Sequence, residues 1–202
     1  FGSTQELFYG TGRGEALSEV IVSRSEDKFS MDIHAEEGIY QVLYNGNYHE
    51  LVQMDLPGVP KLSNEAVHLP SSTNATGLLY PIDILLLVST DASDSAGGFE
   101  NINNLINLAV TETNQGFSNS DVNIHVSVVE IIETYGEPES YSEAIYCLVE
   151  RDDNCLETVH DIRDLVYADL VLYIMDNDSS CGASWVNTTF NEYAENTAFG
   201  SL

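Results

Sequence analysis

The chain has 202 residues, with 33 Asp plus Glu against 6 Lys plus Arg and a formal net charge of −27 at pH 7. A surface this acidic repels phosphate backbones and anionic headgroups, so nucleic acid and anionic membrane are poor partners. With 43% of residues apolar and 9% aromatic the chain is able to bury a core, while its longest apolar run, Ile82 to Val88, is broken by Asp83 and far too short to span a bilayer.

Phe1-Gly2-Ser3 offers neither a start methionine nor a basic, apolar leader, and Phe1 reads as a processed end. Gly10-Thr11-Gly12-Arg13-Gly14 looks like a phosphate loop, but no helix pattern follows it, and it reads as a turn. Short alternating runs then predict strands over Glu19 to Ser23, Lys28 to His34, Gly38 to Tyr44 and His49 to Leu56. Asn45-Gly46 marks a hairpin, because a type I′ turn needs positive φ at both central residues. Residues 1–56 are therefore expected to form a small β-meander. Residues 57–78, with Pro57, Pro60, Pro70 and the run Ser71-Ser72-Thr73-Asn74, read as a linker.

Charge and pattern change near residue 79. Residues 1–78 carry 11 acids and 4 bases, a net of −7, and residues 79–202 carry 22 acids and 2 bases, a net of −20. Ile82 to Val88 predicts a buried strand. After Gly97-Gly98, Phe99, Ile102, Leu105, Ile106, Ala109 and Thr113 recur at helical spacing until Gly116. Val122, Ile124, Val126 and Val128 alternate with polar residues in a strand that continues into Glu130-Ile131-Ile132. Leu156, Val159, Ile162 and Val166 make a second amphipathic helix, and Leu170 to Met175 a buried strand. This β-α-β-α-β order implies an α/β domain over 79–202, with parallel strands and right-handed crossovers.

Three cysteines are present, Cys147, Cys155 and Cys181. Cys147 and Cys155 flank a short charged stretch of the kind a disulfide closes in an exported protein, which places the chain outside the cell. Cys181 is left over, either seeking a partner elsewhere or staying a buried free thiol. His34, His49, His68, His125 and His160 never stand four apart, so no helix presents two imidazoles on one face, and each reads as an ordinary surface or strand residue. No Gly-x-Ser-x-Gly is present. The acidic pairs Asp91/Asp94 and Asp176/Asp178 fall short of a calcium-binding loop and read as solvated acids.

From Tyr80 to Val186 the sequence resembles a family. Tyr80-Pro81-Ile82-Asp83-Ile84-Leu85-Leu86-Leu87-Val88 is similar to the first strand of the reprolysin-like, adamalysin-type metzincin metallopeptidases. In the same order follow Thr113-Asn114-Gln115-Gly116-Phe117, Asp121-Val122-Asn123-Ile124, His160-Asp161-Ile162-Arg163-Asp164-Leu165, Ala168-Asp169-Leu170-Val171-Leu172 and Cys181-Gly182-Ala183-Ser184-Trp185-Val186. The resemblance implies a metzincin-like upper subdomain: a mostly parallel twisted sheet with an antiparallel edge strand and two main helices. The family's zinc helix, His-Glu-x-x-His-x-x-Gly-x-x-His, has no counterpart here; Ala198-Phe199-Gly200-Ser201-Leu202 is similar to the start of the strand that precedes it. No zinc is therefore expected in this stretch, although zinc serves the complete family member.

The same resemblance implies that Gly182, Ala183 and Ser184 form the edge strand that pairs with substrate peptide. It makes Asp83 and Asp161 candidate calcium ligands and gives Cys181 a partner just before the zinc helix. It also makes residues 1–78 similar to a pro-region, one with no cysteine to block zinc. The expected function is the N-terminal portion of a secreted zinc endopeptidase, not catalytic as this chain alone. Its partners would be protein or peptide, among them its C-terminal half. The competing expectation is a noncatalytic extracellular structural subunit, of a filament or other assembly, that retains the metzincin-like fold and joins neighbours through strand edges.

Overall fold

The computed structural model describes residues 5–11, 18–25, 28–35, 38–44, 46–54, 79–151, 155–177, 182–185 and 197–202. These form a mixed α/β protein with two five-stranded sheets and four helices among the described residues. The chain divides into two compact units: Phe1–Leu78 with Ala96–Asn123, and Leu79–Ser95 with Ile124–Leu202.

The first unit is an antiparallel meander of β1 (Gln5–Thr11), β2 (Ser18–Ser25), β3 (Lys28–Ala35), β4 (Gly38–Tyr44) and β5 (His49–Met54), paired in chain order. β1 was not anticipated: Gly10 and Thr11 pair with Val20 and Glu19 as its last rungs rather than turning. Tyr44 pairs with His49, so β4 and β5 do form a hairpin, but residues 45–48 connect them rather than the two residues of the predicted type I′ turn; Gly46 has φ 91°, and Asn45 lies outside the described residues. Residues 57–78, read as a linker, lie outside the described residues.

In that unit α2 (Phe99–Asn119) packs on β2 and β3. The helix was expected, but its buried face differs from the predicted stripe. Ala109 and Thr113 are exposed, whereas Asn101, Asn104 and Leu108 are buried. These three follow at spacings of three and four and so share one face. Asn104 Oδ1 accepts a hydrogen bond from Ser23 Oγ at 3.4 Å, and Asn101 Nδ2 donates to the Tyr44 carbonyl at 2.6 Å.

The second unit is a sheet in the order β7-β6-β8-β10-β9. β6 (Tyr80–Ser89) is central, with β7 (Ile124–Thr134) and β8 (Leu170–Ile174) parallel on either side. β7 starts two residues later than the alternation suggested. Its register slips by one residue where Ile84 faces Val128 but Leu85 faces Glu130, a bulge that leaves Val129 unpaired. β10 (Phe199–Ser201) adds parallel to β8, and β9 (Ala183–Ser184) pairs antiparallel with β10 at the sheet's end. One core joins Leu85, Leu87, Val171 and Tyr173 of the sheet to Tyr141, Ala144 and Leu148 of α3 (Tyr141–Val149) and Val159 of α4 (Val159–Val166).

α1 (Thr90–Ser95) and α3 were not expected. α3 nevertheless carries a readable start: Ser140 Oγ accepts the Glu143 N–H at 3.2 Å, and the Glu143 carboxylate accepts the Glu139 N–H at 2.7 Å. α4 was expected and ends where Tyr167 takes a left-handed conformation at φ 58°. No helix among the described residues is long and apolar enough to cross a membrane.

Candidate functional site

Gly182, Ala183 and Ser184 stand at the end of the second sheet. Ala183 and Ser184 pair with Ser201 and Gly200 on one side, and β9 has no strand on its other side among the described residues. Such an edge presents backbone N–H and C=O groups to any extended chain that adds to it. Its position is fixed from beneath. Leu202 N–H donates to the Tyr173 carbonyl at 2.9 Å, Met175 N–H to the Leu202 carbonyl at 2.9 Å, and Ser201 Oγ to the Tyr141 carbonyl at 3.0 Å.

Gly182 is required by two constraints. Its φ is 133°, and a Cβ there would stand 2.6 Å from the Ser201 carbonyl oxygen, a backbone atom that cannot swing away. Beyond the strand, Trp185 lies edge-on to Tyr146 of α3, ring centroids 6.2 Å apart, and both rings are exposed. Trp185 belongs to the segment that carried the resemblance. Tyr146 was missed because α3 was missed.

At the C-terminal ends of the parallel strands, acidic side chains tie loops together. Glu137 Oε1 accepts from Ser89 Oγ and, at 2.7 Å, from the Asp176 N–H; Asp176 Oδ2 in turn accepts from Ser95 Oγ at 2.6 Å. Asp176, expected as a solvated acid, is a partner in this knot, and Asp178 lies outside the described residues. Tyr173 is wholly buried beside it, its hydroxyl donating to the Gly136 carbonyl at 3.0 Å and accepting from Thr134 Oγ1 at 3.1 Å. Burial pushes that phenol's pKa up.

The candidate calcium ligands are placed apart in role. Asp83 sits in β6, where its N–H donates to Asp169 Oδ2 at 2.9 Å and its carbonyl accepts the Asp169 N–H at 2.7 Å. Asp161 is exposed in the first turn of α4. Among the described residues no three His, Cys, Asp or Glu side chains converge as a metal would require.

The described histidines have separate surroundings. His125 is exposed on β7. His49 stacks on Phe29 with centroids 3.8 Å apart and accepts the Phe29 N–H through Nε2 at 3.1 Å. His34 faces Glu112 at 3.4 Å. His160 departs from the expectation of a surface or strand position: it is a buried helix residue, edge-on to Phe199 at 5.1 Å. Burial lowers its pKa, and Arg151 and Arg163 add to the effect. His68 lies outside the described residues. Catalytic zinc in this class needs three converging ligands and an open position, and the described side chains do not fit that requirement.

Cys147 of α3 is bonded to Cys155, with S–S 2.16 Å and Cα–Cα 5.1 Å. Cys181 lies outside the described residues.

Three curated proteins bear on the chain's kinship. Two peptidyl-Asp metalloendopeptidases of Stenotrophomonas maltophilia, strains K279a and R551-3, are 26% and 27% identical to it over 208 and 207 residues, covering 95% of this chain and 48% of each of theirs. A peptidyl-Asp metalloendopeptidase of Xanthomonas campestris pv. campestris is 26% identical over 205 residues, 93% of this chain and 47% of its own. The chain thus spans about half the length of these relatives, and the similarity takes in the meander. A solved structure titled "Structure of a chaperone-substrate complex" shares the fold at TM-score 0.50 and 20% identity, over 90% of this chain and 26% of that one. Residues 81–201 match the model of the metallo-peptidase family M12B, reprolysin-like. Since that segment is more than half of the 202 residues, the chain belongs to the reprolysin-like M12B metallopeptidases.

Proposed function

We propose that this chain is the N-terminal portion of a secreted zinc endopeptidase. In this reading the meander is a pro-region, residues 79–202 are the upper, substrate-binding part of a metzincin-like catalytic domain, and Gly182 to Ser184 pair with the substrate backbone. The observation that carries it is the sheet edge: a strand belonging to the family-matched segment, held against β10 by a glycine that no other residue replaces without a clash, with its outer side unpaired among the described residues. The zinc ligands come from the part of the protein that the relatives have in addition, and residues 1–202 alone do not catalyse. Following the relatives' name, the substrate class is a peptidyl-Asp bond.

Backbone pairing has a direct chemical test. The full-length gene product is assayed on an Asp-containing peptide, on its Asn counterpart, and on Asp peptides singly N-methylated along the backbone. Methylation removes one N–H donor without touching side chains, so at positions facing Gly182 to Ser184 it should lower kcat/KM at least about tenfold, the equivalent of one lost hydrogen bond. Equal cleavage of every methylated peptide would remove the edge strand from the function.

A further inference from the structure

The face of the meander that α2 covers buries polar side chains, Ser23, Ser30 and Asp32, beside the apolar Ile21. Cross-strand partners share a face, and Ser23 with Ser30 and Ile21 with Asp32 are the buried pairs. The opposite face, with Val22 and Met31, Val20 and Ile33, and Val42, is only partly buried. Against the buried polar face α2 sets Asn101, Asn104 and Glu112, and Lys28 meets Glu100 at 3.3 Å at the rim.

Two carboxyl groups stand side by side in this interface. Asp32 of β3 is 4% exposed on the face that α2 packs against, and beside it the partly exposed Glu112 of α2 meets His34 Nε2, two residues along the same strand face, at 3.4 Å. Two neighbouring carboxylates, one of them buried, repel each other unless one carries a proton. We propose that Asp32, Glu112 and His34 form a proton-dependent latch between the meander and α2, closed when one proton is shared by the two acids and loosened as pH rises through neutrality.

The chemistry around the pair says where the proton sits. Burial, then the hydrogen bond and charge of Glu112, raise Asp32 to about 7, whereas the bond to His34 outweighs burial and holds Glu112 below its usual value. Asp32 therefore keeps the proton and Glu112 the charge. Around Asp32 the facing groups are Glu112 from α2 and His34 from its own strand; across the sheet stand Gln41 of β4, which bonds to it, and Ile21 of β2, neither of which titrates.

The sign follows from linkage. Between the ordinary value of 3.8 and about 7 the unfolded segment releases the Asp32 proton while the folded one retains it. Stability of this unit therefore falls as pH rises across that window and levels off above it. For a pro-region this means release in a more alkaline medium. That purpose rests on the proposed function, but the latch is measured on its own, so either can fail alone.

Hydrogen exchange by mass spectrometry on the 202-residue chain at pH 5.5 and 8, with the intrinsic pH dependence divided out, reads the latch. Protection of β2, β3 and α2 should fall about thirtyfold over that range, as two-state linkage gives for a carboxyl moved from 3.8 to about 7. Protection in β6 and β8 should not follow. Asp32→Asn, whose amide still donates to Glu112 but does not ionise, should remove the pH dependence. Should that variant not fold, the carbon-13 shift of the Asp32 carboxyl in the unmodified chain gives the midpoint directly. Flat protection in the unmodified chain, an equal fall in β6 and β8, an Asn variant that tracks the parent, or an Asp32 midpoint below about 5 would each overturn the latch.

Discussion

Single residues here carry more than their exposure suggests. Gly182 has φ 133° and no room for a Cβ against the Ser201 carbonyl. Gly182→Ala should therefore displace β9 from β10 and cost about 1–3 kcal/mol, read as a lower thermal midpoint; unchanged stability with intact exchange protection at Ala183 would show that the strand tolerates the methyl. Tyr173→Phe removes the buried phenol's bonds to the exposed Gly136 carbonyl and to Thr134 Oγ1, which keeps the Val88 carbonyl as an acceptor, and a loss of about 1 kcal/mol is expected in urea unfolding. His160 supplies a pH effect opposite to that of Asp32. Its lowered pKa means that the unfolded chain takes up a proton first, so its contribution is present above the ordinary value of 6.5 and lost as pH falls below it. Exchange protection of α4 should decline on acidification, and His160→Leu should flatten that decline. An α4 indifferent to pH between 7 and 5 would contradict the assignment.

At the level of elements, patterns based on apolar residues were the legible part. The central strand over Ile82 to Val88, the buried strand from Leu170 and the two amphipathic helices are written in runs and spacings that only burial explains. α3 was equally written, in Tyr141, Ala144, Ile145 and Leu148 after the cap Ser140, but the cysteine spacing drew the reading toward a loop. The polar stripe Asn101, Asn104 and Glu112 was not legible as part of an interface, because polar residues on a helix signal solvent unless their partners on another element are known, and Ser23 and Asp32 lie some 80 residues away. The edge strand was legible only by resemblance, since two residues carry no periodicity. The disulfide Cys147–Cys155 closes a short loop from α3. Its double replacement by serine should cost about 2.5 kcal/mol by the loop-entropy relation; thermal unfolding of that variant with an unshifted midpoint would show the bond to be idle.

For the molecule as a whole, a net charge of −27 with six basic residues leaves most carboxylates without a countercharge. Their mutual repulsion is long-ranged at low salt and shrinks with the Debye length, about 10 Å at 0.1 M and about 3 Å at 1 M. The thermal midpoint should therefore climb steadily with sodium chloride from 0.02 to 1 M, and a flat profile would mean that the acids are already balanced locally. Residues 81–201 match the reprolysin-like family, and among the described residues no three His, Cys, Asp or Glu side chains converge.

In the proposed function residues 1–202 are the substrate-binding portion of a zinc peptidase and hold no zinc site of their own. Parallel metal analysis and chelator-controlled peptide cleavage, on this chain and on the full-length gene product, test it most directly. One zinc per molecule and chelator-sensitive cleavage of Asp-containing peptide are expected for the full-length product, and neither for residues 1–202. Stoichiometric zinc with chelator-sensitive cleavage by the 202-residue chain, or a full-length product that binds no zinc and cleaves nothing, would contradict it.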